Sequence, residues 1–154
     1  MGYLKANDVI SGREGTAYMT INGRNIEMFF LKNIEATVEL VKTEVSALGK
    51  RMNQQKTTGA TGSGSMTIHK VTSEFAKIAI DYLKKGTVPD ITIKVTNNDP
   101  ASTIGRQSTL LKGIVFDSIP IAKLDIESET LDEDVDFTFD DADLLEMFKD
   151  PKLG

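Results

Sequence analysis

Alternation of apolar and polar residues runs through much of the chain and predicts strands. Thr16-Ala17-Tyr18-Met19-Thr20-Ile21 and Ile26-Glu27-Met28-Phe29-Phe30-Leu31 are rich in strand formers and flank Asn22-Gly23, a dipeptide whose residues both tolerate positive φ. They predict a hairpin, entered through a glycine-bracketed turn at Ser11-Gly12-Arg13-Glu14-Gly15. From 33 to 42, Ile34, Ala36, Val38 and Leu40 alternate with Glu35, Thr37, Glu39 and Val41, which predicts a strand with one face inward and one acidic face outward. The pattern then lapses. Residues 43–64 hold few groups able to anchor a core, and they read as a long loop of the kind that serves a function or is ordered by a partner.

A short strand is predicted at 65–71, with Met66 and Ile68 on one face and Thr67 and His69 on the other. The helical period appears once, where Phe75, Ile78, Ala79 and Tyr82 make an apolar stripe. Thr72 or Ser73 would cap this helix, Glu74 suits its first turn, Lys84 and Lys85 its last, and Gly86 with Pro89 would end it. Further strands are predicted at 91–96, ending at the turn Asn97-Asn98-Asp99-Pro100, and at 108–116 with a bulge at Gly113. Another is predicted at 119–127, with a phase slip between Ile121 and Leu124. In the last strand Val135, Phe137 and Phe139 alternate with Asp134, Asp136, Thr138 and Asp140. Leu144, Leu145, Met147 and Phe148 make 141–149 a short amphipathic turn or helix. With no internal repeat or domain boundary, residues 1–154 read as a single mainly β domain, a small barrel or sandwich with one flanking helix, a long loop at 43–62 and a C-terminal tail at 141–154.

Composition changes this picture in three ways. The absence of cysteine excludes disulfides, thiolate zinc sites and a cysteine nucleophile, and a single histidine, His69, excludes a multi-histidine metal centre within one chain. No apolar run approaches membrane-spanning length, and Met1-Gly2-Tyr3-Leu4-Lys5 leads into no signal-peptide core, so the expectation is a soluble protein made in the cytoplasm with no membrane anchor. The net charge of −5 conceals a division: 125–150 carries twelve acids and one base, and the remainder has a net charge of +6. Opposed charges on one chain are either held apart or used against other copies.

Candidate chemistry is sparse. Gly59-Ala60-Thr61-Gly62-Ser63-Gly64 lacks the Gly-Lys-Ser/Thr and following helix of a phosphate cradle. Asp132-Glu133-Asp134-Val135-Asp136 begins like a calcium loop, but Phe137 stands where the sharp turn needs glycine. His69 has no nucleophile elbow to serve, and no convergent acid, base and nucleophile set is visible, so neither an enzyme nor a cofactor is expected. Lys50, Arg51 and Lys56 lack the interleaved aromatic residues of a single-strand binder and suit protein acids better than phosphates. Two-faced strands with open edges are an aggregation hazard unless another chain completes them, and head-to-tail pairing of such edges generates rings or filaments.

Taken in order, several segments resemble the tail tube proteins of contractile phages and phage-derived particles, of the kind carried by the PBSX defective prophage and by R-type bacteriocins. They are Ser11-Gly12-Arg13-Glu14-Gly15, Gly49-Lys50-Arg51-Met52, Lys56-Thr57-Thr58-Gly59-Ala60, the run from Gly62 to Ser73, Asp81-Tyr82-Leu83-Lys84-Lys85-Gly86, Phe116-Asp117-Ser118, Leu124-Asp125 and Phe137-Thr138-Phe139. The resemblance implies a β-barrel or sandwich with a flanking helix, hexameric rings stacked into a hollow tube inside a contractile sheath, and a lumen lined by a continuous barrel. It implies that 43–62 is the inter-subunit loop, with Gly49, Lys50, Arg51, Lys56, Thr57, Thr58 and Gly59 as its assembly residues. The implied partners are other copies, the tail sheath protein, baseplate or initiator proteins and a tape-measure protein, in a virion or phage-tail-like particle through which DNA passes without specific binding. In such a tube the acidic faces bearing Glu35, Glu39, Asp134, Asp136 and Asp140 are expected to line the lumen or an interface. The first hairpin, Thr16 to Leu31, is longer than the resemblance leads one to expect. The competing readings are a monomeric β-barrel that binds a protein, and a secretion-system tube protein of related fold.

Overall fold

A computed structural model of the chain describes residues 2–9, 12–13, 15–28, 31–69, 73–124, 126–127, 131–151 and 153. Asn22 and Gly23 both take positive φ, 49° and 86°, and so turn β1 (Gly15–Ile21) directly into β2 (Arg24–Glu27) with Ile21 opposite Arg24. The expected hairpin is present. Its second strand stops at Glu27, and Phe29 and Phe30 lie outside the described residues, as do Ser11 and Glu14 of the lead-in turn and the candidate cap Thr72.

The longest elements are β3 (Leu31–Val45) and β4 (Gln54–His69), which pair antiparallel over their full length. This corrects the expected loop at 43–64: only 46–53 connects the strands, and the rest is a two-stranded arm. The predicted strand at 65–71 is the end of β4; Lys70 and Val71 lie outside the described residues. The helix α1 (Glu74–Lys85) stands as expected. Ser73 precedes it without a side-chain capping bond, and Gly86, at φ 70°, ends it by donating its N–H to the Tyr82 carbonyl at 2.8 Å.

The remaining strands are β5 (Ile91–Asn98), β6 (Arg106–Lys112), β7 (Val115–Phe116), β8 (Asp132–Phe139) and β9 (Asp141–Glu146). Three expectations need correction. Gly113, at φ 67°, does not bulge one strand but ends β6, so that β7 crosses into the other sheet. The described part of 119–127 is not a strand. The segment 141–149 is not helical but supplies β9, because the edge of β6 offers it a hydrogen-bonding partner.

Two antiparallel sheets result, ordered β2-β1-β5-β6-β9 and β3-β4-β8-β7. Their facing sides form one core, in which Met19, Ile93, Val135 and Phe137 are fully buried. Phe75 of α1 joins this core and meets the Phe116 ring edge-on, centroids 5.5 Å apart. The N-terminal segment is tied down by buried Asp8, whose Oδ1 accepts from the Thr103 N–H at 2.9 Å, the Thr103 hydroxyl at 2.7 Å and the Ser102 hydroxyl at 3.5 Å. Its Oδ2 is buried without a partner.

The Thr103 hydrogen bonds favour the charged form and hold the Asp8 carboxyl below the usual carboxylate value. A lowered folded pKa contributes stability that is full above the unfolded value of about 4 and is lost as pH falls from there through the folded value. Asp8→Asn is therefore expected to be less stable than wild type near neutral pH. The gap in Tm should narrow as pH falls from about 5 toward 3. A gap independent of pH would assign the anchoring to shape rather than charge.

Candidate assembly surfaces

Sheet register places the acidic candidates. Across the four-stranded sheet, Asn33, Thr67 and Asp134 form one cross-strand row; Glu35, Ser65 and Asp136 form the next; Thr37, Ser63 and Thr138 follow, then Glu39 and Thr61. All lie on the face turned away from the core. From the Asn33 row to the Glu39 row these positions include four acids and no base, and Thr67 donates its hydroxyl to Asp134 at 2.8 Å. Glu35, Glu39, Asp134 and Asp136 are thus brought together on one polar surface, although nearly a hundred residues separate the pairs in sequence. Asp140 sits apart, at the β8–β9 corner, its carboxylate packed against Gly113.

One end of that face is held by an ion cluster. A bulge between Leu31 and Asn33 lets Lys32 reach Asp132 at 3.1 Å, and His69 Nδ1 lies 2.9 Å from the other carboxylate oxygen. The Lys32 ammonium, and secondarily His69, hold the Asp132 carboxyl below its ordinary range. His69 is a partly exposed partner in this cluster, with no nucleophile beside it in the described contacts.

The opposite face of the arm departs from expectation. Ile34 is half-buried, but Val38 is 53% and Leu40 57% exposed, so the predicted inward face runs out past the core and stands bare. Edges are open too. Among the described residues β3 pairs only with β4, and two-residue β7 covers only Phe137 and Thr138 of β8. Of the residues assigned to assembly, Gly49, Lys50 and Arg51 lie in the 46–53 turn, where Gly49 takes φ 83°, while Lys56, Thr57, Thr58 and Gly59 belong to β4. Thr58 is a bulge: Val41 faces Gly59 and Lys42 faces Thr57.

Two features escaped the sequence reading. Gly62 and Gly64 lie opposite Phe139 and Phe137, and the rings cover both glycines closely. A Gly-x-Gly at strand period matched by Phe-x-Phe at the same period was the available signal. The other is an apolar groove of about 570 Å³ between α1 and residues 114–121, bordered by Ile78, Tyr82, Leu83 and Ile121. Among the described residues no cluster of histidines or acids could hold a metal ion, and no helix is long and apolar enough to cross a membrane.

Comparison with known proteins accords with this architecture. Residues 2–146 match the family model described as phage tail tube protein. The Bacillus subtilis (strain 168) protein YqbM is 45% identical over 146 residues, covering 95% of this chain and 97% of that one. The phage-like element PBSX protein XkdM of the same organism is 44% identical over 147 residues, covering 96% and 97%. Among solved structures, a chain in the sheath–tube complex of an extracellular contractile injection system in its extended state superposes with a TM-score of 0.65, at 10% identity and over 90% of this chain and 92% of that one. Family and fold are those of a structural component of a phage tail or tail-like particle rather than of an enzyme. The chain belongs to the phage tail tube protein family.

Proposed function

We propose that copies of this chain close into rings, six per ring by the family resemblance, that stack into the inner tube of a contractile phage tail or phage-tail-like particle. The four-stranded sheet carries the reading: among the described residues it has open edges on both sides, a face whose central rows are polar and acidic, and an apolar face that outruns its own core. A sheet joined edge to edge around a ring leaves no strand unpaired and satisfies backbone groups that the single copy leaves to water. The lateral neighbour also covers Val38 and Leu40, each worth about 1 kcal/mol when the exposed half of the side chain is removed from water.

The polar face bearing Glu35, Glu39, Asp134 and Asp136 then lines the lumen. Negative charge there repels phosphates and lets DNA or other anionic cargo pass without sticking. The five-stranded sheet faces outward, toward a sheath protein, while baseplate or initiator proteins and a tape-measure protein meet the tube at its end and in its bore. The support for a sheath partner is the similar chain in a sheath–tube complex.

Electron microscopy of the purified protein, alone and with its initiator, tests the assembly: rings or tubes of uniform width are expected, and a monomer under both conditions would overturn it. The lumen assignment is tested separately by Asp134→Lys with Asp136→Lys. Tubes should still form, with DNA release slowed and salt-dependent; unchanged release would remove these residues from the lumen.

A further inference from the structure

Of the seven asparagines in the chain only Asn22 precedes a glycine, and it does so at the tip of the β1–β2 hairpin. In an Asn-Gly pair the backbone nitrogen of the second residue can attack the side-chain amide of the first with little hindrance, because glycine carries no Cβ. Both residues are exposed, and a Cβ built on Gly23 would meet nothing within 4 Å. A ring closing there has room, and water reaches it freely.

The fold nevertheless holds the attack in check. Ring closure needs Asn22 Cβ and Gly23 N on the same side of the Cα–C bond. The φ values of 49° and 86° are those of a type I′ turn. Its first central residue has ψ of about 30°, a rotation that sets those two atoms nearly opposite each other. Asn22 is also clamped by one residue at both its backbone and its side chain. Its N–H donates to the Asp90 carbonyl at 3.0 Å, and its Oδ1 accepts from the Asp90 N–H at 3.0 Å. Rotation toward the attack geometry undoes the turn and strains this clamp.

We propose that Asn22 is a site of spontaneous covalent modification, kept closed by the turn and by Asp90 and released when the β2 edge opens. On release, Gly23 N bonds to Asn22 Cγ, the Cγ–Nδ2 bond breaks, and ammonia leaves with the proton that Gly23 N gives up. Water then opens the five-membered imide at one of its two carbonyl carbons, yielding aspartate or isoaspartate at position 22. Isoaspartate adds a methylene to the turn backbone, which a two-residue hairpin in register at Ile21 and Arg24 cannot absorb. β2 then parts from β1, and the 2.8 Å ion pair between Arg24 and Glu74 that ties β2 to α1 is lost. The β1 edge of the five-stranded sheet is left unpaired and open to other chains.

The folded protein and the same protein in denaturant are incubated side by side at mildly alkaline pH. The peptide containing Asn22 is followed by mass spectrometry for the gain of one mass unit. Modification is expected in both, slower by about tenfold or more in the folded protein, because there it waits on local opening. No modification in denaturant would remove the site, and equal rates would remove the lock. The folded-state rate should still exceed the denatured rate multiplied by the unfolded fraction from a urea titration, since an edge hairpin opens more often than the whole fold. A rate no greater than that product would overturn release through β2. Asp90→Pro lacks the N–H donor but keeps the carbonyl, and once shown to be folded it should be modified several-fold faster than wild type. An unchanged rate in that folded variant would remove Asp90 from the lock, and the comparison of folded and denatured wild type stands whether or not the variant folds. Hydrogen exchange on the modified fraction should show protection lost at 24–27; retained protection would overturn the separation of β2.

Discussion

Replacing Gly64 with valine is expected to lower Tm by about 10 °C, for a loss of about 3 kcal/mol or more. Gly64 lies mid-strand, opposite Phe137, which is fully buried. A Cβ there would run into the Phe137 ring on one side and come within 2.7 Å of the Glu35 backbone carbonyl oxygen on the other. The ring cannot withdraw, because it fills the centre of the core, and the carbonyl cannot move without disturbing the β3–β4 ladder. Overpacking of a closed site usually costs about 1–3 kcal/mol, and two rigid obstacles put this one at the upper end. Gly59→Val is the control. Nothing lies within 4 Å of the added Cβ, so its stability should change by about 0.5 kcal/mol or less. Thermal melts of the two variants at one pH decide the matter. Equal losses would show that strand glycine as such, and not the Phe137 contact, is what the fold requires.

The second large effect concerns assembly without folding. Val38→Asp combined with Leu40→Asp places two charges on the bare underside of the arm, where both side chains are already more than half exposed. The single copy should keep its circular dichroism spectrum and a Tm within a few degrees of wild type, since surface substitutions cost little. Ring closure should fail, because each lateral contact would have to bury two charges without partners, at several kcal/mol each. Repeated around a ring, that penalty leaves a monomer by sedimentation at concentrations where the unmodified protein assembles. Rings from the double variant would mean that the underside stays in solvent and that lateral contacts run through backbone edges alone.

The arm shows where sequence patterning loses its grip. Residues 43–64 have no hydrophobic alternation because, beyond Leu40, neither face of the hairpin meets a core. A strand that buries nothing in its own chain looks like a loop when read residue by residue. Its order comes from backbone pairing in register with β3 and from the Gly62 and Gly64 contacts with Phe139 and Phe137, seventy-odd residues away. The tail shows the converse. Leu144, Leu145 and Met147 can be laid on a helical stripe, but the open edge of β6 accepts backbone hydrogen bonds, and 141–146 becomes a strand. Ile119 to Ile126 alternates well enough to suggest a strand, yet no edge pairs with its described residues; Ile119 packs against the core while Ile121, Leu124 and Ile126 are left outside.

The acidic candidates divide in the same way. Asp134 and Asp136 were legible as an outward face because Val135, Phe137 and Phe139 between them had to be buried. That Glu35 and Glu39 stand on the same surface depends on β4 lying between β3 and β8 in a particular register, which no local pattern encodes.

By itself the sequence determined the elements whose cause is local. These were the Asn22-Gly23 hairpin, the helix 74–85 with its Gly86 stop, the two-faced strands around Ile93 and Phe137, and the opposed charges of the two parts of the chain. Turn dihedrals, helix ends and hydrophobic period act over a few residues, so a few residues suffice to read them. Only the tertiary structure decided which strands share a sheet, that the apparent loop is a paired arm, that the polar rows join into one acidic face, and that an apolar surface is left bare at the arm and at 121–126. Those depend on long-range pairing and on which surfaces run out of partners within one copy.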